Sequence, residues 1–390
     1  MKRTFASTNI LADAAPVYLD CNATAPMEPA VRKAMVHWFS EEIGNAGSRT
    51  HEYGLRAKRA VSAAREDVAS VVGASADDVI FTSGATESNN LALLGLAAHG
   101  EKLNRRHVVA TAIEHKAVLE PLEVLAERGF SVTIVKPGAS GAVSPEQIKA
   151  ALRPDTLAVS VMHVNNETGI RQPLAGVASV LKGHDAYFHV DAAQGFGKDI
   201  EPLRDTRIDL ISVSSHKVYG PLGIGALILR KRKFMRPPLT PLVYGGGQER
   251  GLRPGTLPVP LIVGFGTAAK LALKDVDARR RHCEAIRLEA LAALQPVGVH
   301  LHGDPALALP HVLNFSVDGI DSEALIVALK DIAAVSNGSA CTSQSYKPSH
   351  VLLAMGLPES AIAGAVRLSW CHMTGPVDWP EIARRIASFQ

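Results

Sequence analysis

The residue with the most chemistry to offer is Lys217, in the stretch Ile-Ser-Val-Ser-Ser-His-Lys-Val-Tyr-Gly at positions 211–220. The apolar, β-branched run 208–213 predicts a buried strand, and the small and polar residues after it end that strand. Lys217 is therefore expected just past a strand end, where an amine is held rigidly against a ligand. A lysine walled by apolar groups and cationic neighbours loses its proton easily enough to form a Schiff base. A solvated surface lysine is the ordinary finding, but the residues upstream argue against it. Val-Asp-Ala-Ala-Gln at 190–194 closes a second apolar run, 186–190, with Asp191 at its end. Phe-Thr-Ser-Gly-Ala-Thr-Glu-Ser-Asn-Asn at 81–90 leads from a third strand, 78–82, into a helical pattern over 88–98. The free backbone N–H groups and the dipole at a helix start favour an anion, and a phosphate fits. A strand-end lysine, a strand-end carboxylate and a phosphate cradle are the parts of a pyridoxal-phosphate site, where the carboxylate keeps the pyridine nitrogen protonated and the ring stores electrons.

The elements that must position these residues follow from the order of apolar runs. Short strands at 79–82, 107–111, 131–135, 157–162, 186–190, 210–213 and 226–229 alternate with helical stretches such as 116–128 and 145–152. The alternation predicts an α/β fold, with a mostly parallel seven-stranded sheet between helices and a ligand at the carboxyl ends of its strands. Two helices precede it, 28–40 and 54–72, the second closed by Gly73. A glycine- and proline-rich segment, 237–260, is followed by a proline-free helix, 261–293, long enough to connect two domains. The remainder reads as a smaller α+β unit, with strands at 311–317 and 365–369 and helices at 322–332 and 349–355. The expected division is a large cofactor-binding domain over 17–262, and a small domain over 263–390 joined by an N-terminal arm, 1–16.

A chain of 390 residues with a formal net charge of +3 has room for two domains and no broad nucleic-acid surface. The basic run 230–236 reads as a solvated strand exit. Four cysteines, at 21, 283, 341 and 371, form no Cys-x-x-Cys pair and have no partners at zinc spacing, so neither a disulfide framework nor a metal site is expected. Reduced thiols and the lack of a signal-peptide core or a membrane-length apolar run point to a soluble, cytoplasmic protein.

Eight stretches, in order along residues 17–370, resemble the class-V aminotransferase family of fold-type I pyridoxal-phosphate transferases, and most closely its cysteine desulfurases of the NifS/IscS type. They are Tyr-Leu-Asp-Cys-Asn-Ala-Thr-Ala-Pro (18–26), Thr-Ser-Gly-Ala-Thr-Glu-Ser (82–88), Glu-His-Lys-Ala-Val (114–118), Met-His-Val-Asn-Asn-Glu-Thr-Gly (162–169), His-Val-Asp-Ala-Ala-Gln (189–194), Ser-His-Lys-Val-Tyr-Gly-Pro (215–221), Gly-Gly-Gly-Gln-Glu-Arg-Gly (245–251) with Arg-Pro-Gly-Thr (253–256), and Ser-Asn-Gly-Ser-Ala-Cys-Thr-Ser (336–343). The resemblance implies that Lys217 is the Schiff-base lysine, that Asp191 faces the pyridine nitrogen, and that Gln194 bonds the ring's phenolic oxygen. It implies that His115 stacks on the ring, where a near-neutral pKa also lets it move protons; from its residues alone, His115 reads as a helix cap. Gly84, Ala85, Thr86, Ser214 and His216 would hold the phosphate, and Thr256 would reach it from the other subunit of a homodimer. Arg367 would bind the substrate carboxylate, a task that suits a bidentate guanidinium, with Asn45 and Asn166 as amide contacts and Asn166 also beside the cofactor.

Cys341 separates a desulfurase from other enzymes of this fold. It stands in a run of small polar residues too poor in apolar content to pack as core, so a mobile, accessible loop is expected. A thiolate there could take the sulfur of L-cysteine as a persulfide, leave alanine, and hand the sulfur to an acceptor protein. Iron–sulfur assembly, tRNA thiolation and DNA phosphorothioation all draw on such enzymes, and the roughly sixteen residues after Thr374 are shorter than the tail with which IscS-like members dock a cluster scaffold. Cys21 and Ala25 depart from the family's usual tyrosine or asparagine and threonine, and Ser-Trp-Cys-His-Met-Thr (369–374) replaces a glycine-arginine ending. The competing functions are a selenocysteine lyase or other class-V enzyme, and a non-catalytic scaffold on the same fold.

Overall fold

The structure is a computed structural model that describes residues 15–337 and 348–389. After a two-residue strand, β1 (Val17–Tyr18), come α1 (Pro29–Ser40) and α2 (Glu52–Val72). The alternating region holds β2 (Val79–Thr82), α3 (Ala85–Gly95), α4 (Ala97–Lys102), β3 (His107–Thr111), α5 (Lys116–Glu127), β4 (Ser131–Val135), α6 (Pro145–Ala151), β5 (Thr156–Ser160), α7 (Leu174–Val180), β6 (Tyr187–Asp191), β7 (Leu210–Ser214) and β8 (Gly225–Leu229). The long helix α8 (Val259–Leu294) then leads to β9 (Val299–Leu301), β10 (Val312–Val317), α9 (Ser322–Leu329), β11 (Ala333–Ala334), α10 (His350–Ala354), α11 (Glu359–Ala363), β12 (Val366–Ser369) and α12 (Trp379–Ala387).

Strands β2 to β8 form the expected seven-stranded sheet, in the order β2-β8-β7-β6-β5-β3-β4, with β8 antiparallel to both neighbours and the β7-β6-β5-β3-β4 pairings all parallel. Its inner strands are near-continuous apolar runs because helices cover both faces. Side-chain alternation divides them: Phe81, Val109 and Ile211 pack with α2 on one face, and Ile80, Val108 and Leu210 pack with α3 and α5 on the other. A separate core gathers Phe315, Val366, Leu368, Trp370, Trp379 and Ile382 around the antiparallel sheet β12-β10-β9. Helix α8 serves both cores. Val259 to Ala272 pack on the first, Cys283 to Leu294 on the second. Leu19 also joins the second core, next to β1, which pairs with β11.

Two local expectations are corrected. The helix expected from 88 starts at Ala85, directly after Gly84, and is interrupted at Leu96. The basic run is a solvated exit only in part: Lys231 and Lys233 are exposed, but Arg230 is buried and donates to the carbonyls of Asp205 (2.8 Å), Leu203 (2.7 Å) and Val72, the last residue of α2, while Arg232 pairs with Asp209. Carbonyls at element ends lack intrahelical partners, and a five-donor guanidinium is the side chain that satisfies several at once.

Candidate active site

A cavity of about 440 Å³ opens at the carboxyl ends of the parallel strands. Gly84, Ala85 and Thr86 at the start of α3, His115, Asn166, Asp191, Gln194, Ser214, His216, Lys217 and Arg367 all line it. Lys217 lies in a single 3-10 turn, Ser215–Val218, just after β7, so the lysine is past a strand end as expected. Its Nζ donates to the carbonyls of Asn22 (2.5 Å) and Ala23 (2.6 Å), which hold the amine at the cavity wall. Asp191 ends β6 and is buried. Asn89 Nδ2 donates to one carboxylate oxygen at 2.7 Å, and the Ala193 N–H to the other at 2.9 Å.

The phosphate cradle depends on two glycines. Gly84 has φ 157° and ψ −177°, a backbone region essentially open to glycine alone, and it turns the chain from β2 straight into α3. On the neighbouring strand a Cβ at Gly225 would lie 2.6 Å from the Gly84 Cα and 2.4 Å from the Val213 carbonyl. The first N–H groups of α3 consequently meet the cavity with Thr86 and Ser214 beside them. Glu87, one residue further on, accepts from the Ser83 N–H (2.7 Å) and pairs with Arg253 (3.0 Å).

His115 both caps and lines. As N-cap of α5 its Nδ1 accepts the Ala117 N–H at 3.0 Å, so the ring proton resides on Nε2. Burial lowers its pKa, with Asp191 pulling the other way. Burial, and then Lys217 and Lys198, push His216 down to about 4; its Nδ1 lies 3.1 Å from Thr24 Oγ1. Arg367, on β12, is fully buried. Nη2 meets Asp20 Oδ1 at 2.6 Å and Nη1 the Asn166 carbonyl at 2.9 Å. Its backbone pairs with Ser336, and Ser349 Oγ donates to Glu167 Oε2 at 2.6 Å. These two serines flank the segment that carries Cys341, which itself lies outside the described residues.

Three buried polar atoms around this cavity have no partner among the described residues: Asn22 Oδ1, Asn89 Oδ1 and Arg367 Nε. Groups left so are costly unless a ligand meets them. A strand-end carboxylate, an amine and a helix start suit a ring nitrogen, an aldehyde and a phosphate respectively, so the residues present fit pyridoxal phosphate.

The model of the family described as "Aminotransferase class-V" matches residues 17–376. A cysteine desulfurase IscS of Rickettsia bellii (strain OSU 85-389) is 45% identical over 355 residues, covering 90% of this chain and 85% of its own length. The chain belongs to the class-V aminotransferases, as a member of the NifS/IscS cysteine desulfurase type. The crystal structure of DndA from Streptomyces lividans superposes with a TM-score of 0.80 at 50% identity, over 92% of this chain and 99% of that one. That of SspA in complex with cysteine gives 0.78 at 37% identity, over 90% and 98%.

Two residues that the NifS/IscS resemblance assigns to the site do not line the cavity. Asn45 is exposed and its Oδ1 accepts the Gly47 N–H at 2.8 Å; Thr256 is exposed. Conversely, four residues were not singled out from the sequence: Asn22 and Asn89, which line the cavity, and Asp20 and Glu114, which lie behind the lining and bond Arg367 and the Met162 N–H. Each lies inside or beside a matching motif, which was the available signal. Glu114 is fully buried, accepting Thr111 Oγ1 and the Met162 N–H on Oε1, both at 2.7 Å, and burial raises its pKa to about 8. Among the described residues no helix is long and apolar enough to cross a membrane.

Proposed function

We infer that this enzyme is a pyridoxal-phosphate-dependent cysteine desulfurase, converting L-cysteine to L-alanine and carrying the sulfur as a persulfide on Cys341 to an acceptor protein. The observation that carries the reading is the convergence of Lys217, Asp191, the α3 start and Arg367 on one cavity. Pyridoxal phosphate, when bound, supplies an electron sink for bonds at the substrate's α-carbon. The α3 N–H groups with Thr86, Ser214 and His216 would hold its phosphate, Asp191 its pyridine nitrogen, Gln194 its phenolic oxygen and His115 its face. Arg367 binds the substrate carboxylate, with Asn166 as an amide contact. Lys217 removes the α proton and returns one later in the cycle. The Cys341 thiolate attacks the substrate sulfur; the Cβ–S bond breaks, its electron pair goes to carbon, and protonation there gives alanine.

Exposure of Thr256, with Arg253 of the same motif anchored on α3 through Glu87, supports a homodimer in which Thr256 serves the neighbouring site. Cys21, Cys283 and Cys371 are free and buried, which suits a reducing, cytoplasmic address. The test is peptide mass spectrometry after incubation with L-cysteine, with alanine quantified in the supernatant. One added sulfur on the Cys341 peptide with matching alanine is expected. Alanine with free sulfide instead marks a lyase, and the absence of both alanine and added sulfur overturns the reading.

A further inference from the structure

Four residues beyond the cavity-lining Gln194, the chain places a lysine under that amide. After β6 the backbone coils tightly, with the Phe196 N–H bonded to the Ala192 carbonyl and the Asp199 N–H to the Gly195 carbonyl, both at 2.9 Å. Two glycines make the coil possible: a Cβ at Gly195 would lie 1.9 Å from His163 Nδ1, and one at Gly197 would lie 2.5 Å from Val218 Cγ2. Gln194 and Lys198 end up one turn apart on one side. Lys198 Nζ sits 3.4 Å from Gln194 Oε1 and 3.5 Å from His311 Nε2, while Gln194 Nε2 donates to the Asn22 carbonyl at 2.9 Å.

An amide is nearly symmetric in shape, so only its partners decide which end is oxygen. An ammonium can only donate and a carbonyl can only accept. Between Lys198 and Asn22 the Gln194 oxygen must therefore face the lysine and the nitrogen must face Asn22. The second N–H of that nitrogen is left for the cavity.

We propose that Lys198 is a positioning residue that fixes the amide orientation of Gln194 and so presents an N–H to the cofactor's phenolic oxygen. The inference rests on the cofactor reading given above. Among the described residues Lys198 makes no ion pair, so the Gln194 oxygen and the His311 ring nitrogen are its hydrogen-bond partners. The groups that face it are the thiols of Cys21, Cys283 and Cys371, the ring of Tyr219, and His311, with Arg279 lining the same small cavity. Burial holds His311 well below its ordinary pKa, so it is a neutral acceptor; burial lowers Lys198 to about 8, which leaves it an ammonium at neutral pH.

The decisive experiment is a double-mutant cycle on holoenzyme, using Lys198→Met and Gln194→Leu, read by the pH midpoint of the bound cofactor's visible absorption. Donation to the phenolic oxygen favours its anionic form. Lys198→Met should raise the midpoint by about one pH unit, and should add nothing in the Gln194→Leu background. Equal shifts in both backgrounds, or none in either, overturn the proposal. Lys198→Gln serves if the methionine variant does not fold. A second readout uses protein labelled with [15N]glutamine, its Gln194 side-chain amide signal assigned by loss in Gln194→Leu. That signal should move in Lys198→Met, and an unmoved signal overturns the proposal. A preparation with no visible band would sink the cofactor reading instead, and the amide signal would then decide the role of Lys198 alone.

Discussion

The cavity has two unlike walls. The cofactor wall is made by the ends of neighbouring strands: Asp191 closes β6, Ser214 closes β7, Lys217 follows within one turn, and Gly84 joins β2 to α3. Backbone hydrogen bonding in the sheet sets its geometry. The substrate wall is made by side chains from distant segments, with Arg367 meeting Asp20 across 347 positions and Asn22 and Arg367 both anchored on the Asn166 carbonyl. On the proposed reading, rigid strand ends would hold the group that stays through every turnover, and cross-linked side chains would receive the one that comes and goes. Of the serines that flank the segment bearing Cys341, Ser336 pairs with Arg367 of the second wall and Ser349 with Glu167, the neighbour of Asn166.

The sharpest division between the walls should appear in paired substitutions. Lys217→Ala should cut alanine formation by at least about a thousandfold, the scale of a lost proton-transfer group. Cys341→Ser should still change the cofactor spectrum with L-cysteine while gaining no sulfur; turnover retained in both variants would refute the scheme. On the substrate wall, Arg367→Lys should lower kcat/KM for L-cysteine roughly tenfold to a hundredfold, mainly through KM, because a charge-assisted bond contributes about 1.5–3 kcal/mol. Asp20→Asn should act in the same direction if the Asp20 carboxylate is what aims the guanidinium. A KM untouched by either change would place carboxylate recognition elsewhere. Asn89→Ala removes one of two donors to Asp191, and about tenfold weaker cofactor retention, measured by dialysis and absorbance, is expected. Equal retention would mean that the Ala193 N–H alone suffices.

The same two walls explain what could be read from the sequence. Strand-end residues announce themselves, because a buried strand is a largely apolar run and the charged residue that follows it lies at or just past its end; Asp191 and Lys217 were legible on that ground. Asn89 was not. It lies within α3, and nothing in a helical pattern tells which polar side chain turns inward to a carboxylate more than a hundred positions away. Asp20 and Asn22 were hidden for a similar reason, since their partners come from β12 and from the turn after β5. His115 shows that the bland and the functional readings can both hold, its Nδ1 capping α5 while its ring lines the cavity. Arg230 was misread, because an arginine at a strand end looks solvated and its long-range carbonyl partners bury it.

Glu114, behind the cavity next to His115, yields the smallest and most specific expectation. Its side chain is held from the sheet side by Thr111 and the Met162 N–H, while its carbonyl lies 2.9 Å from Nε2 of His350, just beyond the Cys341 segment. In the unfolded chain the carboxyl releases its proton near 4.5; in the fold, burial delays release to about 8. The native state therefore binds the extra proton between those values, and stability must fall as pH rises through that window and level off above it. Glu114→Gln keeps an oxygen for both donors and cannot ionise. Denaturant unfolding from pH 4.5 to 8.5 should show a flatter pH dependence in Glu114→Gln than in the parent. An unchanged slope would mean that the carboxyl ionises in the folded protein at its ordinary pKa, so that Thr111 and the Met162 N–H donate to a charge instead of a neutral acid.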